Sequence, residues 1–122
     1  MKYLVDSNII IYHLNGEKIA TSFLKKYKDE IAISQITYVE VLSFNFTKEQ
    51  EEIVKELLEQ FDILDIDSKI SKVAVETRKT KKIKLPDNLI ASTAKVYNLT
   101  LVTRNTKDFK SLNIDIVNPF DF

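Results

Sequence analysis

Tyr3-Leu4-Val5-Asp6-Ser7-Asn8 sets three apolar residues in a row and then three polar ones. An apolar run without alternation reads as a strand covered on both faces, which places it near the centre of a parallel sheet. Asp6 or Ser7 is positioned to cap a short helix through Leu14. Outward from there, Glu17 to Tyr27 carries Ile19, Ala20, Phe23, Leu24 and Tyr27 at helical spacing. Ile31 to Ser34 reads as a second strand. Ile36 to about Phe46 reads as a helix, although its β-branched residues weaken the propensity.

Thr47 and Gln50 have the spacing of a capping box, ahead of a helix with Ile53, Val54, Leu57, Leu58 and Phe61 on its apolar side. Ile63 to Ile66 is the third expected strand. A helix from Ser68 to about Lys82 turns Ile70, Val73, Ala74 and Thr77 inward. Pro86 suits the first turn of the next helix, Asp87 to Tyr97, whose inward stripe is Ile90, Ala91, Ala94 and Tyr97 and which Asn98 can end. Thr100 to Thr103 and Ile114 to Val117 follow as strands, with a short helical turn around Lys107 to Phe109 between them. This alternation predicts a three-layer α/β fold, a mainly parallel central sheet of about five strands flanked by helices, in one domain over residues 1–122.

Composition removes many chemistries. Without Cys there is no disulfide, thiolate nucleophile or zinc finger, and a single His, His13, excludes sites that need two imidazoles. One Gly cannot build a glycine-rich phosphate loop. No apolar run approaches the roughly 18 to 20 residues of a membrane span, and Asp6 interrupts any signal-peptide core, so a cytosolic protein without membrane contact is expected. What remains is oxygen chemistry, whose ligands suit Mg²⁺ or Mn²⁺. Eighteen bases balance eighteen acids, but unevenly: Glu49 to Asp67 holds eight acids and one Lys, and Lys69 to Lys84 seven bases and one Glu. Arg78, Lys79, Lys81, Lys82 and Lys84 are therefore either an RNA-binding edge or a solvated helix end, with equal weight on each reading.

In an open parallel sheet ligands bind beyond the carboxyl ends of the strands, where strand order reverses. Asp6 lies at such an end, as does the turn from Thr103 to Asp108. Asp6 taken alone is as readily a helix cap. Glu40 shares a helical face with Ile36, Thr37, Ser43 and Phe44, so an inward-looking carboxylate is expected, the alternative being a helix-edge Glu paired with a Lys. Asp87 sits above Ile90 and Ala91, and an acid there also complements the helix dipole by about 0.3 to 1 kcal/mol. Only the combination is specific: carboxylates gathered at one edge repel one another, and a divalent cation is the usual remedy. Two such ions about 4 Å apart can activate water and stabilise the leaving oxygen of a phosphodiester, with no need of His or Cys.

Asp6-Ser7-Asn8, Ser34-Gln35-Ile36-Thr37 leading to Glu40, Leu85-Pro86-Asp87-Asn88-Leu89-Ile90-Ala91-Ser92-Thr93-Ala94 and Leu101-Val102-Thr103-Arg104-Asn105-Thr106-Lys107-Asp108-Phe109 together resemble the PIN-domain ribonucleases, and most nearly the VapC-type toxins of toxin–antitoxin pairs. The resemblance spans nearly the whole chain. It implies a sheet in which the first and fourth strands are neighbours, a Mg²⁺- or Mn²⁺-dependent endoribonuclease, a homodimer and a small antitoxin. Carried over by position, it makes Asp6, Glu40 and Asp87 the core metal-binding acids and Asp108 the fourth, with Thr103 and Asn105 in support. Ser7 stands where Thr is frequent, and Asn88 and Ser92 where Ala is frequent. The antitoxin tail would place a cation among the acids and apolar anchors beside Ile10, Ile11, Leu14 and Phe23. His13 is expected to be structural, and Tyr12, Phe44 and Phe46 to belong to the core. Two rivals stand beside the nuclease: a non-catalytic module holding RNA or protein, and a phosphatase with Asp6 as nucleophile, whose usual second acid is replaced by Asn8.

Overall fold

Five strands, β1 (Tyr3–Val5), β2 (Ile31–Ser34), β3 (Asp62–Leu64), β4 (Thr100–Val102) and β5 (Ile116–Val117), form one sheet in the order β3-β2-β1-β4-β5. Every neighbouring pair is parallel. The computed structural model describes residues 1–121; Phe122, the last residue of the expected domain, lies outside the described residues. Parallel pairing needs crossovers. α1 (Ser7–Leu14) and α2 (Lys18–Lys26) join β1 to β2, α3 (Gln35–Leu42) and α4 (Lys48–Glu59) join β2 to β3, and α5 (Ser68–Thr80) and α6 (Leu85–Tyr97) join β3 to β4. Short 3₁₀ turns occupy Lys28–Glu30 and Thr106–Asp108.

The period of two along each strand divides the core between the two faces. Tyr3, Val5, Ile31, Ile33 and Val102 pack with Ile9, Ile10, Ala20, Leu24, Val41, Val54, Leu58 and Phe61 of the first four helices and their connections. Leu4, Ala32 and Leu101 point the other way, against Ile90, Ala91 and Ala94 of α6 and against Phe109. β1 is thus covered on both sides, as its apolar run requires.

The local signals are visible in place. Thr47 and Gln50 form the reciprocal capping box, and Asn98 ends α6 in the left-handed conformation at φ 55°. Several boundaries differ from expectation: α5 ends at Thr80 rather than about Lys82, α6 begins at Leu85 rather than Asp87, and β4 ends at Val102 rather than Thr103, and three further differences have a visible cause. α3 stops at Leu42, because Thr47 must be extended to cap α4 and the chain leaves the helix ahead of it. β3 lies at Asp62–Leu64 rather than Ile63–Ile66, since its partner β2 ends at Ser34, opposite Leu64. β5 is only Ile116–Val117, because Leu101 and Val102 set its register and Ile114 bonds back to Leu112 in a turn.

Four side chains also depart. Phe44, expected in the core, is 53% exposed beyond the end of α3, and Ile53 is 65% exposed, because α4 buries the line through Val54 and Leu58 instead. Tyr97 is part-exposed at the end of α6. Ile10, expected as exposed contact area, is fully buried against the sheet, while Ile11, Leu14 and Phe23 keep some surface. Tyr12 and Phe46 pack against the core as expected.

Candidate active site

Strand order reverses between β1 and β4: one leads to β2 on its left, the other to β5 on its right. A crevice opens beyond the carboxyl ends of such a pair. Asp6 and Thr103, 97 positions apart, occupy those two ends. The register Tyr3↔Thr100, Leu4↔Leu101, Val5↔Val102 sets them side by side, and the Asp6 amide extends the ladder by donating to the Val102 carbonyl at 2.9 Å.

Asp6 is buried and collects three donors. Its Oδ1 accepts from the Ser7 amide at 2.8 Å, which makes it the cap of α1. Its Oδ2 accepts from Thr103 Oγ1 at 2.9 Å and from Asn8 Nδ2 at 3.3 Å. Burial nevertheless raises its pKa to about 6; the Thr103 and Ser7 bonds pull the other way, and the charges of Asp87 and Glu40 add to the rise. Desolvation outweighs the hydrogen bonds.

Glu40 reaches the same place by another route. Ser7 Oγ donates to Glu40 Oε1 at 2.6 Å and lies 3.2 Å from Oγ1 of the buried Thr37. The expectation that Glu40 looks inward is corrected: α3 buries Thr37 and Val41, one turn apart, which leaves Val39 and Glu40 on the exposed edge. Asp87, in the first turn of α6, is partly buried. Its pKa is raised by that burial and by the charges of Asp108 and Glu40, while Lys84 lowers it. Asp108 is exposed in the second 3₁₀ turn, and its Oδ2 accepts from Asn105 Nδ2 at 2.6 Å. Thr103 Oγ1 in turn accepts from the Asn105 amide at 3.0 Å and from Asn8 Nδ2 at 3.1 Å.

Four acids from four segments therefore sit within reach of one another's charge. As the side chains stand, no three acids among the described residues are drawn together closely enough to hold an ion by themselves. The donor set still fits a hard divalent cation. It is all oxygen, and it includes one buried and one part-buried carboxylate whose ionisation is opposed by other acids.

Three residues of this network went unassigned in the sequence: Ser7, Asn8 and Thr37. The signal for the first two was the polar triplet directly after a buried strand, and for Thr37 its place one turn before Glu40. Asn88 and Ser92, where the resemblance has Ala, form a buried pair. Asn88 Nδ2 donates to the Ala74 carbonyl at 2.9 Å and its Oδ1 accepts from Ser92 Oγ at 3.2 Å, which ties α6 to α5 directly behind Asp87.

The basic residues Arg78, Lys79, Lys81, Lys82 and Lys84 are all exposed. Lys84 lies near enough to Asp87 to bias its ionisation, and Lys79 forms an exposed pair with Glu76 at 3.4 Å, which contributes little. His13 places Nδ1 2.7 Å from Thr21 Oγ1 and so links α1 to α2, in keeping with a structural role. Among the described residues no helix is long and apolar enough to cross a membrane.

Comparison with known proteins agrees with this geometry. The PIN domain family matches residues 3–114. Ribonuclease VapC2 of Methanocaldococcus jannaschii is 30% identical over 133 aligned positions, covering 92% of this chain and 89% of the relative. Among solved structures, a toxin–antitoxin complex from Klebsiella pneumoniae contains a chain with TM-score 0.88 and 36% identity, covering 99% of this chain and 100% of that one. VapBC2 from Rickettsia felis, bound to a DNA fragment from its promoter, gives TM-score 0.82 and 32% identity over 97% and 98% of the two chains. With the crevice, the acids and these likenesses together, the chain belongs to the PIN domain family and stands among its VapC-type members.

Proposed function

We propose that this chain is the endoribonuclease toxin of a toxin–antitoxin pair, and that Asp6, Glu40, Asp87 and Asp108 hold the Mg²⁺ or Mn²⁺ on which hydrolysis depends. The observation that carries the reading is that Asp6, held at the end of β1 against Thr103 at the end of β4, ionises against the charges of Asp87 and Glu40, and Asp87 against those of Asp108 and Glu40. Such a cation, when bound, lowers the pKa of water and offsets charge on the phosphodiester oxygens. The chain's own residues hold and orient the ligands. Thr103 and the Ser7 amide fix the Asp6 carboxylate, Ser7 Oγ fixes Glu40, and Asn105 fixes Asp108. The relatives' toxin–antitoxin complexes support a small antitoxin as partner. The same reading has the chain acting on RNA in the cytosol as a homodimer.

Purified protein incubated with single-stranded RNA should cleave it when Mg²⁺ or Mn²⁺ is supplied and stop when a chelator is added. The products should carry a 5′-phosphate and a 3′-hydroxyl, because water rather than the ribose 2′-hydroxyl attacks. Cleavage that survives complete chelation, or 2′,3′-cyclic phosphate ends, overturns the reading.

A further inference from the structure

An anionic cluster must admit a polyanion, and the acids around Asp6 repel the RNA they are proposed to cut. A bound Mg²⁺ or Mn²⁺ offsets part of that repulsion, and a side-chain cation beside the cluster offsets more. Arg104 is the residue next to Thr103 in the loop that leaves β4. Its amide donates to Asn8 Oδ1 at 3.3 Å, and Asn8 itself donates to Asp6 and Thr103. The backbone of Arg104 is thus part of the site's own network.

Its side chain is held from elsewhere. The guanidinium carbon lies 4.9 Å from the ring centroid of Tyr12 and 4.3 Å from that of Phe120, and the two rings are 5.3 Å apart at an interplanar angle of 59°. Three nearly equal separations describe a corner formed by two tilted rings with the cation seated in it, not a sandwich. Rings only 5.3 Å apart cannot enclose the guanidinium from both sides. Tyr12 lies about 6 Å along α1 beyond Asn8, whose side chain reaches Asp6 and Thr103, so this corner adjoins the acid cluster.

Stacking orients a guanidinium without using its hydrogen-bond donors. Among the described residues Arg104 makes no side-chain hydrogen bond and no ion pair, and it is exposed. Its planar fork, with five N–H groups, matches the paired oxygens of a phosphate. We propose that Arg104, steadied by Tyr12 and Phe120, binds an RNA phosphate flanking the one that is cut. This rests on the nuclease reading. Arg104 is the substrate contact, and Tyr12 and Phe120 are positioning residues. The bland alternative is a staple that pins the segment around Phe120 to α1.

A phosphate contact is blind to sequence, so a fluorescein-labelled single-stranded RNA of mixed sequence is a sufficient probe. Anisotropy should show Arg104→Gln binding it about tenfold more weakly or worse, as expected for a lost charge-assisted hydrogen-bond pair. The salt dependence of log Kd should become shallower by about 0.7, the equivalent of one phosphate contact on a single strand. Arg104→Lys should restore the salt slope but only part of the affinity. Tyr12→Leu should weaken binding, and Tyr12→Phe should bind as the wild type does. In cleavage assays with Mn²⁺ on the same RNA, Arg104→Gln should raise KM and leave kcat within about threefold. Wild-type affinity and salt slope in Arg104→Gln, with only a lowered melting temperature, would leave the staple and overturn the proposal. So would a loss confined to kcat. Wild-type protein that neither binds nor cleaves RNA removes the nuclease reading as well, which separates the two failures.

Discussion

Without a cation, the protein should become less stable as pH rises through the range where most proteins gain stability. Asp6 stands at 3.8 in the unfolded chain and at about 6 in the fold. The folded state therefore binds the proton more tightly, and stability is highest below the lower value and falls as pH passes through the higher one. Over the full range this group withdraws about 3 kcal/mol, of which about 2 kcal/mol lies between pH 4.5 and pH 7.5. Asp87, raised by its own burial and by Asp108 and Glu40, adds in the same direction. His13 acts oppositely: its pKa is lowered by burial and by Lys25, so it loses stability as pH falls. The clean measurement is urea unfolding of His13→Gln protein in chelator at intervals from pH 4.5 to 7.5. A domain with a total stability of about 5 to 15 kcal/mol makes a change of this size easy to resolve. Stability that is flat or rising toward pH 7.5 in that background would refute the argument that burial outweighs the hydrogen bonds at Asp6.

Thr103→Val keeps the shape of a fully buried side chain but removes the donor to Asp6 and the acceptor for Asn105 and Asn8. It should destabilise the protein by about 2 kcal/mol at pH 7.5, and by less at pH 4.5, where Asp6 is protonated; an equal loss at both values, measured by urea unfolding, would show that Asp6 is not the partner that matters. Glu40→Gln and Asp87→Asn should each lower cleavage by more than about a hundredfold, whereas Asp108→Asn, whose charge is not among those acting on Asp6, should lose only about tenfold. Chelated Asp87→Asn should be at least as stable as wild type at pH 7.5, because a charge facing two other acids is gone; thermal unfolding checks this.

The central strand was legible because Tyr3-Leu4-Val5 is short, apolar throughout and closed at once by Asp6, as a strand covered on both faces is, and the helix ends because Thr47, Gln50 and Asn98 act through local bonds alone. Where a boundary was set by a neighbour, local sequence failed. β3 ends where β2 runs out, and nothing within Ile63 to Ile66 announces that. Each acid had another reading by itself, since Asp6 and Asp87 have sound capping and dipole roles and Glu40 sits on a helix edge; their combination pointed to a cation, and the resemblance assigned the four as its ligands. Their meeting depends on the pairing of β1 with β4, a contact between residues nearly a hundred positions apart. Arg104, Tyr12 and Phe120 were invisible as a unit for the same reason: they come from the β4 exit, α1 and the last described residues, and no spacing links them.

The two readings of Asp6, helix cap and metal ligand, turn out to be compatible, because a carboxylate has two oxygens and about four acceptor directions. One direction goes to the Ser7 amide and two go to Thr103 and Asn8, so about one is left for a cation. The Asn8 bond, at 3.3 Å, is the longest of the three and the first that a cation would displace. Asn8 has other partners in Thr103 and the Arg104 amide, so its release from Asp6 need not leave it bare. The burial, and after it the repulsion, that raise Asp6 and Asp87 are then the counterpart of cation affinity. A ligand present at a hundred times its Kd adds about 2.7 kcal/mol to folding stability, close to the roughly 3 kcal/mol that ionising Asp6 removes. On this account the site is destabilising by itself and a bound cation offsets that cost, and the fold tolerates the empty site because apolar layers cover β1 on both sides.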